Sequence, residues 1–100
     1  MIDFATKTKY VVRNSSTFHK GYKRVRKQGK DIEKLKKVIF DIANGNILEE
    51  KYKDHALTDS KYYNNCRECH IEADWLLVYK IDNNELILLL IDTGSHSELF

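Results

Sequence analysis

The stretch that decides the fold is Trp75-Leu76-Leu77-Val78-Tyr79-Lys80-Ile81, then Asp82-Asn83-Asn84, then Glu85-Leu86-Ile87-Leu88-Leu89-Leu90-Ile91. Two apolar runs of strand length flank three residues whose short polar side chains favour a tight reversal, which is hairpin chemistry. Leu86–Ile91 alone could pass for a buried helix, but its length and the preceding turn favour a strand. Both runs are apolar on both faces, so both belong in the middle of a sheet under cover of helices.

Working outward, Cys66–Ile71 is a third strand on the N-terminal side of this hairpin, and residues 46–64 read as a loop without a clear period. Ile32, Leu35, Val38, Ile39 and Ile42 form a helical stripe that opens on Asp31 and stops at Asn44-Gly45. Phe18, Tyr22 and Val25 mark an earlier helix, capped among Asn14, Ser15 and Ser16 and ending near Gly29. The very short link between the two implies an antiparallel helical hairpin. Lys9–Arg13, built on Tyr10, Val11 and Val12, is an N-terminal strand. The order strand, helix, helix, strand, strand, strand defines an α+β sandwich. In it the N-terminal strand and the helical hairpin pack on an antiparallel-rich sheet of about four strands. Without prolines or a low-complexity linker, residues 1–100 read as a single domain.

The net charge of +2 conceals a division. Residues 1–53 carry 14 Lys/Arg against 6 Asp/Glu, whereas residues 54–100 carry 3 against 9. A basic half with cations on exposed helix faces suits a phosphate backbone. No apolar run approaches the roughly 20 residues that span a bilayer, and the N-terminus lacks a charged-then-apolar export pattern. The expected location is the cytoplasm, without membrane contact.

Cys66-Arg67-Glu68-Cys69-His70 matches the pattern for covalent haem attachment. The flanking sequence has strand character, and residues three apart on a strand point to opposite faces. Cys66 and Cys69 therefore cannot both reach one haem, and Met1 is the sole methionine. Zinc fails on the same geometry and for want of a second ligand cluster. No metal and no cofactor is expected.

Three histidines lie at or near strand exits: His55 in the loop, His70 at a strand end before Asp74-Trp75, and His96 after the last strand. Histidine transfers protons near neutral pH. Trp75 and Phe100 are aromatic rings able to stack on unpaired bases. Lys51, Lys53 and Arg67 are cations able to hold phosphate or the charge that develops on it.

Tyr52-Lys53-Asp54-His55-Ala56-Leu57, then Cys69-His70-Ile71-Glu72-Ala73-Asp74-Trp75-Leu76-Leu77-Val78-Tyr79-Lys80, then Thr93-Gly94-Ser95-His96-Ser97-Glu98-Leu99-Phe100 resemble the YafQ branch of the RelE-type bacterial toxins. The likeness covers roughly the second half of the chain; the first half agrees in layout. It implies the RelE-like sandwich and the toxin of a type II toxin–antitoxin system. Such toxins cut mRNA in the ribosomal A site, are held inactive by a cognate antitoxin, and reach operator DNA only through the antitoxin complex. His55, His70, Asp74, Trp75, His96 and Phe100 fall on the family's active-site positions. The implied chemistry is metal-free: the 2′-hydroxyl attacks the adjacent phosphorus, leaving a 2′,3′-cyclic phosphate and a 5′-hydroxyl. His96 is the expected general acid. His70 or Asp74 is the base or orients it, His55 contacts phosphate or ribose, and Trp75 and Phe100 position bases.

One position departs from the pattern. Family members commonly carry arginine immediately before Thr-Gly, where this chain has Asp92. A carboxylate beside a phosphorane is repulsive, so either Asp92 points away or another cation serves, with Arg67, Lys53 and Lys51 as candidates. Two further readings follow: a catalytically weak relative kept for antitoxin binding and operon repression, and a non-enzymatic RNA-binding module using the basic helices.

Overall fold

A computed structural model of the chain describes residues 8–58 and 63–100. Residues 59–62, within the expected loop, lie outside the described residues, as do residues 1–7. The elements are β1 (Val11–Asn14), α1 (Ser16–Lys27), α2 (Ile32–Ala43), a 3-10 turn (Glu50–Tyr52), β2 (His55–Ala56), β3 (Arg67–Glu72), β4 (Trp75–Asp82), β5 (Ile87–Gly94) and α3 (His96–Leu99). The strands form one sheet in the order β1-β5-β4-β3-β2. β1 runs parallel to β5 and the other pairings are antiparallel.

The expected central pair is central: β4 and β5 each have a strand on both sides. The two long helices α1 and α2, however, cover one face only. Leu77 and Tyr79 of β4 and Leu88 and Leu90 of β5 pack in one cluster with Phe18, Tyr22 and Val25 of α1 and Leu35, Val38 and Ile39 of α2. The intervening residues Leu76 and Val78 turn to the other face, where Tyr63, Cys66 and Leu99 close over them. An apolar strand residue on either face is thus withdrawn from water, each contributing on the order of 1.5–3 kcal/mol.

The helices begin and end on the residues their sequence provides. The Ser15 hydroxyl accepts from the Phe18 amide at 3.0 Å, and the Asp31 carboxylate accepts from the Glu33 amide at 3.1 Å. Gly29 and Gly45, with φ of 77° and 78°, take the left-handed conformation that lets the chain leave each helix.

Three expectations about strands need correction. The sheet has five strands, because His55–Ala56 adds a two-residue β2 too short to show a period. β1 starts at Val11 rather than Lys9: the Tyr10 amide donates to Ala43 at the end of α2, and its ring is buried. The last strand begins at Ile87 and runs past Ile91 to Gly94. The Asp82 carboxylate accepts from the amides of Asn84 and Glu85, and Leu86 adopts a φ of 55°, so the turn absorbs two more residues than expected. At the other end Asp92, Thr93 and Gly94 stay in the ladder opposite Val78, Leu77 and Leu76.

α1 lies so close to β5 that only glycine fits at position 21. A Cβ there would stand 2.5 Å from the Thr93 carbonyl oxygen and 2.7 Å from the Asp92 carboxylate. Gly21→Ala is expected to destabilise the protein by about 1–3 kcal/mol, as over-packing does. Urea unfolding measures this, and an unchanged midpoint would contradict the close approach.

Candidate active site

The site is built on the face of the sheet that the helices leave open. Glu68 and His70 alternate with Cys69 on β3; Cys69 joins the helix-side cluster, so Glu68 and His70 point the other way. Strand pairing places His55 of β2 directly opposite Glu68. Glu68 Oε1 then stands 3.5 Å from His70 Nε2 and 3.8 Å from His55 Nε2. This carboxylate is 3% exposed, so the two rings lie between it and solvent. The other nitrogen of each ring faces a backbone carbonyl: His55 Nδ1 is 2.7 Å from Lys53 O, and His70 Nδ1 is 3.3 Å from Ala73 O. A carbonyl only accepts, so each contact forms with the proton on Nδ1. Each Nε2 lies at ion-pair distance from Glu68 and attracts it only when the ring is an imidazolium.

His96 enters from α3, which follows β5 and packs on the same open face through Leu99. The capping box of α3 fixes its backbone, with the Ser95 hydroxyl accepting from the Glu98 amide and the Glu98 carboxylate accepting from the Ser95 amide. The His96 amide donates to Asp74 at 2.9 Å, which ties α3 to the turn between β3 and β4. The His70 and His96 rings are 6.4 Å apart between centroids. Phe100 lies 5.5 Å from His96 and 5.4 Å from Tyr63, and it remains 49% exposed. His70, His96, Asp74 and Phe100 therefore converge, with His55 joined through Glu68. Glu68 was absent from the sequence expectation. Its signal was parity: it sits two residues before His70 and so shares its face.

Two expected substrate contacts are corrected. Trp75 is fully buried and has no ring face open to a base. Its indole N–H donates to the Thr93 hydroxyl at 2.9 Å, and that hydroxyl donates to the Leu76 carbonyl at 2.7 Å, so the ring belongs to the core. Arg67 has the opposite parity to His70. Its Nε and an Nη donate to Asp54 at 3.3 and 3.2 Å, and the Tyr79 hydroxyl donates to the same carboxylate. Arg67 thereby anchors the loop between Lys53 and His55 and does not face the histidines. Lys51 and Lys53 are exposed and line an open cleft that reaches His70.

Asp92 resolves the repulsion raised by its sequence position, because it is 7% exposed and turned inward. It accepts from the Thr93 amide at 2.8 Å and from the Tyr63 hydroxyl at 3.0 Å. Burial, with Asp92 beside it, pushes the Tyr63 phenol up to about 12, so this hydroxyl stays a donor. Burial also raises the Asp92 carboxyl above its ordinary value, against the two hydrogen bonds that lower it. Burial raises the thiols of Cys66 and Cys69 as well, which keeps both protonated. Among the described residues no group of three or more His, Cys, Asp or Glu is arranged to hold a metal ion, and no helix is long and apolar enough to cross a membrane.

The sandwich is the fold of bacterial toxins of known structure. Residues 10–100 match the family of the bacterial toxin of type II toxin–antitoxin systems, YafQ, and the chain belongs to that family. It is 37% identical over 87 residues to the mRNA interferase toxin YafQ of Escherichia coli BL21-DE3, covering 86% of this chain and 90% of that protein. A metal-bound toxin from Helicobacter pylori superposes with a TM-score of 0.84 at 42% identity, over 91% of this chain and 99% of that one. The crystal structure of the E. coli DinJ–YafQ toxin–antitoxin complex superposes with a TM-score of 0.81 at 32% identity, over 92% and 98%.

The buried Asp92 predicts a pH dependence of stability. Its folded value lies above that of the unfolded chain, about 3.9, so the folded state holds this proton more tightly. The resulting stabilisation is complete below the unfolded value and is lost as pH rises through the folded one. Asp92→Asn should remove that decline. Urea midpoints of both proteins between pH 3 and pH 7 compare the slopes, and identical slopes would show that Asp92 is not perturbed.

Proposed function

We propose that this chain is a ribosome-dependent mRNA endoribonuclease that cuts without a metal and is restrained by a cognate antitoxin. The observation that carries the reading is the convergence of His96, His70, Asp74 and Phe100 at one sheet end, with His55 linked to His70 through Glu68. Family membership supports the toxin class. The relatives named mRNA interferases support RNA as substrate, and the solved DinJ–YafQ complex supports a protein antitoxin as partner.

The reaction is transesterification within the substrate. A base removes the 2′-hydroxyl proton, the 2′-oxygen bonds to phosphorus, and the bond from phosphorus to the 5′-oxygen breaks. The leaving oxygen takes a proton, giving a 2′,3′-cyclic phosphate and a 5′-hydroxyl. His96, exposed at the start of α3, donates that proton. His70 or Asp74 serves the 2′-oxygen; Asp74 also orients the His96 turn through its bond to the His96 amide. His55 contacts phosphate or ribose. Lys51 and Lys53 supply positive charge beside the site, and Phe100 offers its exposed ring to a base.

His96→Gln is expected to lower cleavage by about 10²–10⁴-fold, the usual contribution of positioned proton transfer. The measurement is single-turnover cutting of a defined message on ribosomes by purified protein, with EDTA in a parallel series. Undiminished cleavage by the variant would remove His96 from the role of acid. Loss of cleavage in EDTA, on ribosomes that stay intact, would overturn the metal-free mechanism. Expression without an antitoxin separates the enzyme from a weak co-repressor, which would leave growth and message intact.

A further inference from the structure

Four lysines from two distant segments line one open cleft beside the histidines. Lys34 and Lys37 come from α2, and Lys51 and Lys53 flank Tyr52 in the 3-10 turn and its exit. The cleft has a volume of about 440 Å³ and is completed by His70 and the turn residues that follow it. Among the described residues Glu72 is the sole carboxylate in its lining. The apolar stripe of α2, with Leu35, Val38 and Ile39, is buried, which fixes the helix's rotation and sends Lys34 and Lys37 to its flank.

The lysines are available for exchange. Lys34 pairs with Glu72 at 3.0 Å and Lys37 with Asp41 at 3.0 Å, both across partly exposed side chains. Surface pairs of this kind contribute about 0–1 kcal/mol, so an arriving phosphate can replace either carboxylate. Lys51 Nζ sits 5.2 Å from the centre of the Tyr52 ring and 3.9 Å from Glu49. Lys34, Lys37 and Lys51 thus each have a weak anionic or aromatic contact and an outlet to the same concave surface, which Lys53 also lines.

We propose that this cleft holds the phosphodiester backbone of the message strand next to the scissile phosphate, with Lys34 and Lys37 as binding residues for the RNA. The proposal rests on the reading that the histidine cluster cleaves RNA. It gives the strand a direction away from the chemistry: from His96 past His70 and onto the flank of α2. These lysines lie outside the histidine cluster, so they govern affinity and leave the proton transfers to the histidines.

The test replaces Lys34 and Lys37 together by glutamine and measures cleavage of a message on ribosomes over a range of salt. The expected result is a several-fold rise in KM with kcat unchanged. Each phosphate contact to a single strand contributes about 0.7 to the slope of log affinity against log salt. The slope of kcat/KM should therefore become shallower by about 1.4 for two lost contacts. Lys20→Gln with Lys23→Gln, on exposed positions of α1 outside the cleft, should change neither quantity. An unchanged KM and slope in the first variant, or an equal loss in the second, would overturn the proposal. Binding to ribosomes without a message identifies the source of phosphate. If Lys34 and Lys37 matter as much there, ribosomal RNA is the ligand and the message assignment falls. The two readings fail differently. A parent protein that does not cut sinks both, whereas normal cutting with indifferent lysine variants sinks only the cleft.

Discussion

The hydroxyl of Thr93 is the point on which the active end of this protein turns. It accepts from the Trp75 indole and donates to the Leu76 carbonyl, all within the fully buried interior. One small side chain thereby satisfies the indole's lone donor and binds the last residues of β5 to the first residues of β4. Asp74 immediately precedes that junction and His96 follows it by three residues. Their positions are consequences of a core hydrogen bond as much as of their own contacts. Replacing Thr93 by valine would keep the shape but leave a buried indole N–H without a partner, a loss of about 1–3 kcal/mol.

Around this junction the sheet separates two tasks by residue parity. On β3, Arg67 turns toward the helix side and anchors the loop through Asp54, while Glu68 and His70 turn toward the open face. The same alternation runs through β4, where Leu77 and Tyr79 meet the helices and Leu76 and Val78 meet the smaller cluster. A one-residue slip of β3 against β4 would exchange these faces, turning Glu68 and His70 together away from His96 and bringing Arg67 and Cys69 to the open face. The double burial of β4 and β5 opposes such a slip. The site is thus specified by the register of central strands that carry only part of its chemistry.

Much of this was legible in the sequence. The two apolar runs around Asp82-Asn83-Asn84 marked the central hairpin, and Asp31, Gly29 and Gly45 marked helix limits, because these are local signals. His55, His70, Asp74, His96 and Phe100 were legible as a set once their spacing was compared with a known family. Trp75 was misassigned because a tryptophan near histidines gives no sequence sign of which way it faces. The strand alternation that separates Cys66 from Cys69 also sends Arg67 to the helix side and Glu68 to the face of His70, so Arg67 is no partner of the histidines and Glu68 is. Asp92-Thr93-Gly94 resembled a strand end on composition, yet pairing with β4 keeps these residues in the ladder. That information is non-local.

The parallel pairing of β1 with β5 has a consequence for how the molecule comes to exist. Val11 lies beside Ile87, so the sheet joins chain segments separated by most of the sequence. Contacts of this kind lower folding rates because the intervening chain must be closed into a loop first. β5 is also the strand on which α1 packs, through Gly21, and the strand that leads to His96. While the chain emerges from a ribosome, β1 and α1 wait for a partner that is made after everything else in the sheet. The histidines cannot be aligned before that strand is in place, so a half-made copy has no assembled cluster.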